Sequence, residues 1–266
     1  MRVLAVGAHP DDLEILCTGT LAKFKKNGAE IFMAHLCNGN KGHFEIPADT
    51  LARMRDKEAK NSAKILEAEC LGPVAPDLEL YRDKPTMDKV IDIVRKTKPN
   101  LIITHSPDDY MCDHIVTSQL TVDASFMASL PNYKLHPHLS PPPFPHLLSS
   151  PLEGEEGKER GDWRGRNEEG GNYVPVCPVY FMDTVNGLNF QPTEYVDITE
   201  FIKIKERMLL CHLSQAKWLR EHDHLDYVEL MRKVASFRGL QCGVEFAEGF
   251  RLHYVSGRIK PARLLP

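Results

Sequence analysis

Apolar residues crowd into short unbroken runs at 3–7 (VLAVG), 29–36 (AEIFMAHL) and 101–105 (LIITH). Unbroken runs of this length, rather than alternating ones, mark strands buried on both faces of a sheet. Between them lie longer segments with helical spacing: 13–27, which stops at Gly28, the highly charged 48–69, then 86–98 and 115–130. Further along, 178–182 and 195–198 read as strands, 202–219 and 227–237 as helices, and 250–254 as a last short strand. Strands alternating with helices predict right-handed crossovers and a parallel sheet. The expected fold class is therefore α/β, a Rossmann-like three-layer sandwich with a mostly parallel sheet and an elaborated carboxyl-terminal third.

One stretch breaks the pattern. Residues 136–172 hold six Pro, six Gly and six Glu with no sustained periodicity, too little apolar surface to offset the entropy of ordering the chain. The expected organisation is one domain made of 1–135 and 173–266, interrupted at 136–172 by a Pro/Gly/Glu-rich disordered insert. Its wording, HPHLSPPPFPHLLSSPLEGEEG, resembles the translation of a dispersed bacterial repeat element. His136, His138 and His146 fall inside it, where proline-rich backbone is a poor organiser of metal ligands.

Composition narrows the class further. A chain of 266 residues with 42% hydrophobic content suits one large α/β domain. A formal net charge of −4 gives no reason to expect nucleic acid or an acidic membrane surface as partner. No apolar run approaches the roughly 20 residues that span a bilayer, and the first apolar run leads straight into charged residues, unlike a secretory signal. Seven cysteines without a CxxC pair do not make a disulfide framework, so a reducing, cytoplasmic setting is expected.

The chemistry concentrates where the first strand ends. Ala8-His9-Pro10-Asp11-Asp12 sets an imidazole and two carboxylates at the carboxyl edge of the expected sheet, where open α/β sheets bind their ligands. His9 and Asp12 suit zinc as donors, and Asp11 between them is free to act as a base. That pattern points to metal-dependent hydrolysis. Two donors do not enclose a metal, so a third is expected at another strand end. The segment His105-Ser106-Pro107-Asp108-Asp109-Tyr110-Met111-Cys112-Asp113-His114 offers it. His105 ends the strand, and His114 opens the next helix behind an acid. A metal-binding histidine commonly gives its other nitrogen to a carboxylate or carbonyl, and Asp113, Asp108 and Asp109 are available for that task or for substrate. The same string also reads as ordinary turn chemistry, which the amino-terminal motif outweighs.

Taken together, these segments resemble the LmbE-like (PIG-L) zinc-dependent de-N-acetylase family. The resemblance rests on the first strand with AHPDDLEILCTGTLAKFKKNG, the NGNKG loop, RDKEAKNSAKIL, DYMCDHIVTS, VDITEFIKIKERMLLCHLSQ and FAEGFR, and covers most of the chain outside 136–172. It implies His9, Asp12 and His114 as zinc ligands, Asp11 as general base and Arg55 at the substrate end of the pocket, with Arg53 as the rival for that place. Asp113 stands as the acidic neighbour behind a metal-binding histidine. The resemblance further implies Zn2+ as cofactor, a small N-acetylglucosamine-type amino-sugar or conjugate as substrate, and a homo-oligomer. Two histidines and one carboxylate leave a coordination position for water, whose pKa zinc lowers to roughly 7.

The chain departs from that family at one position. Many relatives carry a second histidine three residues before the metal-binding one, where this chain has Met111, a thioether with no proton to give. Losing one oxyanion donor costs on the order of 100-fold in rate. Three readings follow: His105, His43 or His212 fills the role, the substrate needs less help, or the chain is a catalytically impaired zinc-containing sugar-binding protein. His212 reads more simply as a packed helix residue, and His222-Asp223-His224 as a solvated connection. No GxSxG elbow or GxGxxG loop is present, which disfavours a serine hydrolase and a dinucleotide enzyme.

Overall fold

The computed structural model describes residues 1–135, 173–259 and 264–266; the insert expected at 136–172 lies outside the described residues. The buried apolar runs form a seven-stranded sheet. Its strands are β1 (Arg2–Gly7), β2 (Glu30–His35), β3 (Glu69–Leu71), β4 (Leu101–Thr104), β5 (Val179–Met182), β6 (Glu194–Asp197) and β7 (Ala247–Leu252). Their order across the sheet is β3-β2-β1-β4-β5-β7-β6. The first five run parallel to one another, and β7 runs antiparallel to β5 and β6.

Both faces of the sheet are covered, which is why the strands carry unbroken rather than alternating hydrophobicity. Val3, Ala5, Ile31, Met33, Leu101 and Ile103 pack on one side with residues of α1 (Asp12–Leu16), α2 (Thr18–Lys26) and α3 (Ala48–Ile65). Leu4, Val6, Phe32, Ala34 and Ile102 face the other side, against α4 (Lys84–Thr97) and α5 (Cys112–Met127). The helices α6 (Ile202–Leu209), α7 (Leu213–His222) and α8 (Tyr227–Cys242) complete the first layer through Ile202 and Met208, Leu219, and Tyr227 and Met231. The result is the expected three-layer sandwich.

Register fixes where chemistry collects. Val6 of β1 pairs with Thr104 of β4, and Gly7 with His35 of β2. Because the three strands are parallel, the loops that leave them emerge side by side at one edge of the sheet.

Two helices predicted as continuous are split. The segment expected at 13–27 breaks at Cys17, whose backbone leaves helical geometry (φ −146°, ψ 0°). Glu248 of β7 supplies the reason: its two carboxylate oxygens accept the main-chain N–H groups of Gly19 (2.9 Å) and Thr20 (2.7 Å). These are free donors at the start of a new helix. Gly19 also meets Ile198 so closely that a Cβ there would lie 2.8 Å from its side chain. The segment expected at 202–219 is likewise divided, with His212 at the start of α7. The helix expected at 48–69 ends at Ile65, and its last expected residue, Glu69, instead opens β3.

Candidate metal centre

The loop after β1 turns sharply. Asp11 has φ 118°, a conformation non-glycine residues rarely adopt and which recurs at functional sites. The turn sends the side chains of Asp11 and Asp12 to different neighbours. Asp12 is buried and accepts the His9 main-chain N–H through Oδ2 at 2.6 Å. Its Oδ1 lies 3.3 Å from His114 Nε2, while Oδ2 lies 3.5 Å from His9 Nδ1. One donor atom from each of His9, Asp12 and His114 falls within 4.8 Å of the others.

Carboxylates behind the two histidines set which nitrogen is free. Asp113 Oδ2 sits 3.1 Å from His9 Nε2 and also accepts the Leu78 main-chain N–H. Asp109 Oδ2 sits 3.1 Å from His114 Nδ1, with both side chains fully buried. A carboxylate only accepts, so each of these ring nitrogens carries the proton and the opposite one presents a lone pair. His114 Nε2 is buried without a hydrogen-bond partner. A divalent metal beside Asp12 Oδ1 would satisfy it. The residues therefore fit a metal.

Two other groups meet the same distance criterion among the described residues, His105–Asp109–His114 and His9–Cys37–Asp77. Their donors are already engaged. Asp109 holds the His114 ring, and His105 Nε2 accepts the Ala8 main-chain N–H at 3.0 Å. Asp77 accepts from the main chains of Gly39 and Lys41, and burial pushes the Cys37 thiol up, away from the thiolate a metal needs.

The local field favours a cation at this centre. Burial works against the charge of Asp12, yet His114 and His105 hold its carboxyl well below the usual range. Burial also opposes a charged His114, but Asp12 and Asp109 bring it up to about 9. His105, buried and beside His114, is pushed down to about 4. Asp11 moves the other way. Burial and the neighbouring Asp12 charge raise it to about 6, against the pull of His212 and Arg55 and the hydroxyl of Tyr227. Two adjacent carboxylates thus differ in character.

Residues 4–125 match the model of the family described as PIG-L, GlcNAc-PI de-N-acetylase. The match spans a little under half of the chain. Among curated relatives, it is 27% identical over 139 residues to a 4-oxalmesaconate hydratase of Pseudomonas putida, covering 49% of this chain and 54% of that protein. It is 26% identical over 166 residues to a 1D-myo-inositol 2-acetamido-2-deoxy-alpha-D-glucopyranoside deacetylase of Rhodococcus erythropolis, covering 49% and 55%. The chain thus spans about half the length of the curated relatives it matches. The solved N,N'-diacetylchitobiose deacetylase of Pyrococcus horikoshii superposes with a TM-score of 0.69 at 23% identity, over 94% of this chain and 82% of that one. At that identity the likeness is one of fold.

The loops after β1 and β4 bring together most of the acids and histidines expected at the site. His9, Asp11, Asp12, Asp113 and His114 meet at the sheet edge. Asp113 backs His9 rather than the adjacent His114, whose partner is Asp109. Arg55, not the exposed Arg53, is buried on α3. Its Nη2 donates to the Gly42 carbonyl and the Gln215 side chain. The loop passes over Arg55 so closely that a Cβ at Gly39 (φ +73°) would lie 2.3 Å from Arg55 Cδ. His212 is fully buried 3.4 Å from Glu14, while His222 is exposed and paired with Asp223.

Two residues had no signal in the sequence. Tyr227, 216 positions from Asp11, donates its hydroxyl proton to Asp11 Oδ2. Glu14, one helical position past Asp12 and Leu13, is wholly buried between Ser62 and His212. Among the described residues, no helix is long and apolar enough to cross a membrane.

Proposed function

We propose that the chain is a zinc-dependent hydrolase that removes the acetyl group from an N-acetylglucosamine-type amino-sugar or its conjugate, working in a reducing, cytoplasmic setting. The observation that carries this reading is the division of labour between neighbouring carboxylates. Asp12 faces His9 and His114, whereas Asp11 is buried, turned away and raised to about 6, near the pH at which a general base works best.

His9, Asp12 and His114 would hold the zinc. When bound, it supplies Lewis acidity toward the amide carbonyl and the attacking water. Asp11 takes the proton of that water as the new C–O bond forms. The C–N bond then breaks, and Asp11 returns the proton to the departing nitrogen, leaving acetate and a free amine. Asp109 and Asp113 keep the two imidazoles oriented throughout. The family described by the matching model and the Rhodococcus relative support an amide substrate.

A second reading, water addition to an unsaturated acid, is favoured by the Pseudomonas relative. It uses the same base and needs no protonated leaving nitrogen, which suits a chain with Met111 three residues before His114. The deciding assay compares zinc-loaded wild type with Asp11→Ala, following amine release from N-acetylglucosamine and its conjugates and absorbance loss from conjugated enoic acids. Amine release that vanishes in Asp11→Ala with zinc retained supports the deacetylase. Absorbance loss without amine release supports the hydratase. Neither, with zinc bound, leaves the sugar-binding reading in place.

A further inference from the structure

Asp11 and Asp12 are adjacent, equally buried and chemically identical, yet among the described residues only Asp12 joins a group of closely spaced metal donors. Something must keep Asp11 out of the donor set. The left-handed turn at Asp11 separates the two side chains, but a buried carboxylate beside a divalent ion has every electrostatic reason to swing onto it. The partners of the two acids differ. Asp12 is fixed by the His9 main chain and faces imidazoles. Asp11 is fixed through Oδ2 by the hydroxyl of Tyr227.

Tyr227 is the first residue of α8, far outside the matched residues 4–125. It is buried, and its ring is part of the core cluster that contains Leu13, Leu16 and Leu21. The ring is therefore held by packing on the same layer as α1, and the hydroxyl is the part that reaches the polar site. Such a rigidly mounted donor determines where one oxygen of Asp11 sits.

We propose that Tyr227 is the positioning residue for Asp11: its hydroxyl holds one carboxylate oxygen away from the metal site and leaves the other free to accept a proton. The inference rests on the reading of Asp11 as base, and it assigns the carboxyl-terminal third a direct part in the chemistry. Tyr227 touches neither the donors nor the reacting atoms, and acts through Asp11.

The experiment uses the full chain with Co2+ as the probe, read by visible absorption, alongside steady-state kinetics with zinc. Tyr227→Phe removes only the hydroxyl and keeps the ring in the core. In the cobalt-loaded protein, Tyr227→Phe shifts the visible band as Asp11 moves onto the metal, and Tyr227→Phe/Asp11→Asn restores it. Asp11→Asn alone leaves the band where it was, a measurement that stands even if the Phe variant does not fold. In the zinc-loaded protein, Tyr227→Phe lowers kcat by about 100-fold, the scale of a misplaced catalytic group, with KM unchanged.

A cobalt band that moves with Asp11→Asn alone overturns the proposal, because Asp11 would already be a ligand. So does a Tyr227→Phe variant with an unmoved band and full kcat, or one that raises KM at constant kcat, since Tyr227 would then be a substrate contact. Wild type that releases no amine while the cobalt bands behave as described overturns the deacetylase reading and upholds the role of Tyr227. Wild type that binds no Co2+ overturns both.

Discussion

Asp109 lies at the edge of the proposed metal centre, where it holds one of the imidazoles in place. It lies 3.1 Å from His114 Nδ1, buried with it, and so fixes both the ring orientation and the nitrogen left for a metal. Replacing it with Ala leaves the ring free to turn and its proton free to exchange between nitrogens. Outer partners of this kind are worth about 10–100-fold in metal affinity. Asp109→Ala is expected to weaken zinc binding by that factor in competition with a chromophoric chelator, and Asp109→Asn, which keeps an acceptor oxygen, to weaken it less. Equal affinity in all three proteins would place the orienting contact elsewhere. At this scale the sequence was partly readable. His9, Asp11 and Asp12 are contiguous and end a strand, so their grouping follows from local pattern alone. The choice of Asp109 over Asp113 behind His114 depends on how residues 105–111 fold into a turn, which periodicity does not encode. Tyr227 depends on a contact spanning 216 residues.

Between elements, buried polar contacts do what hydrophobic packing does elsewhere. Lys205 of α6 and Glu248 of β7 form an almost wholly buried pair at 2.5 Å, and the same carboxylate caps α2. Removing one partner of such a pair costs about 3–5 kcal/mol because the other charge stays buried. Lys205→Ala is expected to lose that much in urea unfolding, whereas exposed pairs such as Lys26–Glu200 contribute little when broken. This network also explains why the helix at 13–27 looked continuous. The residues around Cys17 fit helical spacing, and the break is imposed by a carboxylate more than two hundred positions away.

Glu14 links three further elements, accepting from Ser62 of α3 at 2.5 Å and facing His212 at the start of α7. Burial alone would raise its carboxyl, but His212, Ser62 and His35 bring it from 4.5 down to about 2. A depressed carboxyl pKa gives stability that is complete above the unfolded value and disappears as pH falls toward the folded one. The metal-free protein is therefore expected to lose stability between about pH 4.5 and 2, and Glu14→Gln to flatten that limb. Urea midpoints of both proteins across this window check it, and parallel curves would refute it.

For the whole molecule, the chain runs continuously through one sandwich on either side of 136–172. Tyr133 and Leu135 pack against the core, and the Val174 N–H donates to the Ala128 carbonyl at 3.0 Å. Both flanks are thus anchored at the carboxyl end of α5. We expect that replacing 136–172 with a short Gly/Ser linker leaves the melting temperature and zinc content of the protein unchanged, as measured by calorimetry and metal analysis. A collapse in either would make the segment part of the fold. The architecture itself was the most legible layer, since unbroken apolar runs separated by amphipathic segments admit few arrangements. The antiparallel placement of β7 was not legible, because a six-residue strand carries no mark of its direction.

The proposed metal donors all lie before residue 125, whereas Tyr227, Lys205 and Glu248 lie after residue 200. This separation sets a compatibility rule for recombination. A graft that exchanges residues 173–259 for those of another chain of this fold can change the carboxyl-terminal third while inheriting the proposed metal donors intact. It must nevertheless bring a hydroxyl that meets residue 11 and a carboxylate that meets the main chain at residues 19 and 20. Chimeras that satisfy the second condition alone would fold and hold metal, yet turn over poorly. The two halves are therefore free to diversify in sequence but not in these few points of handshake.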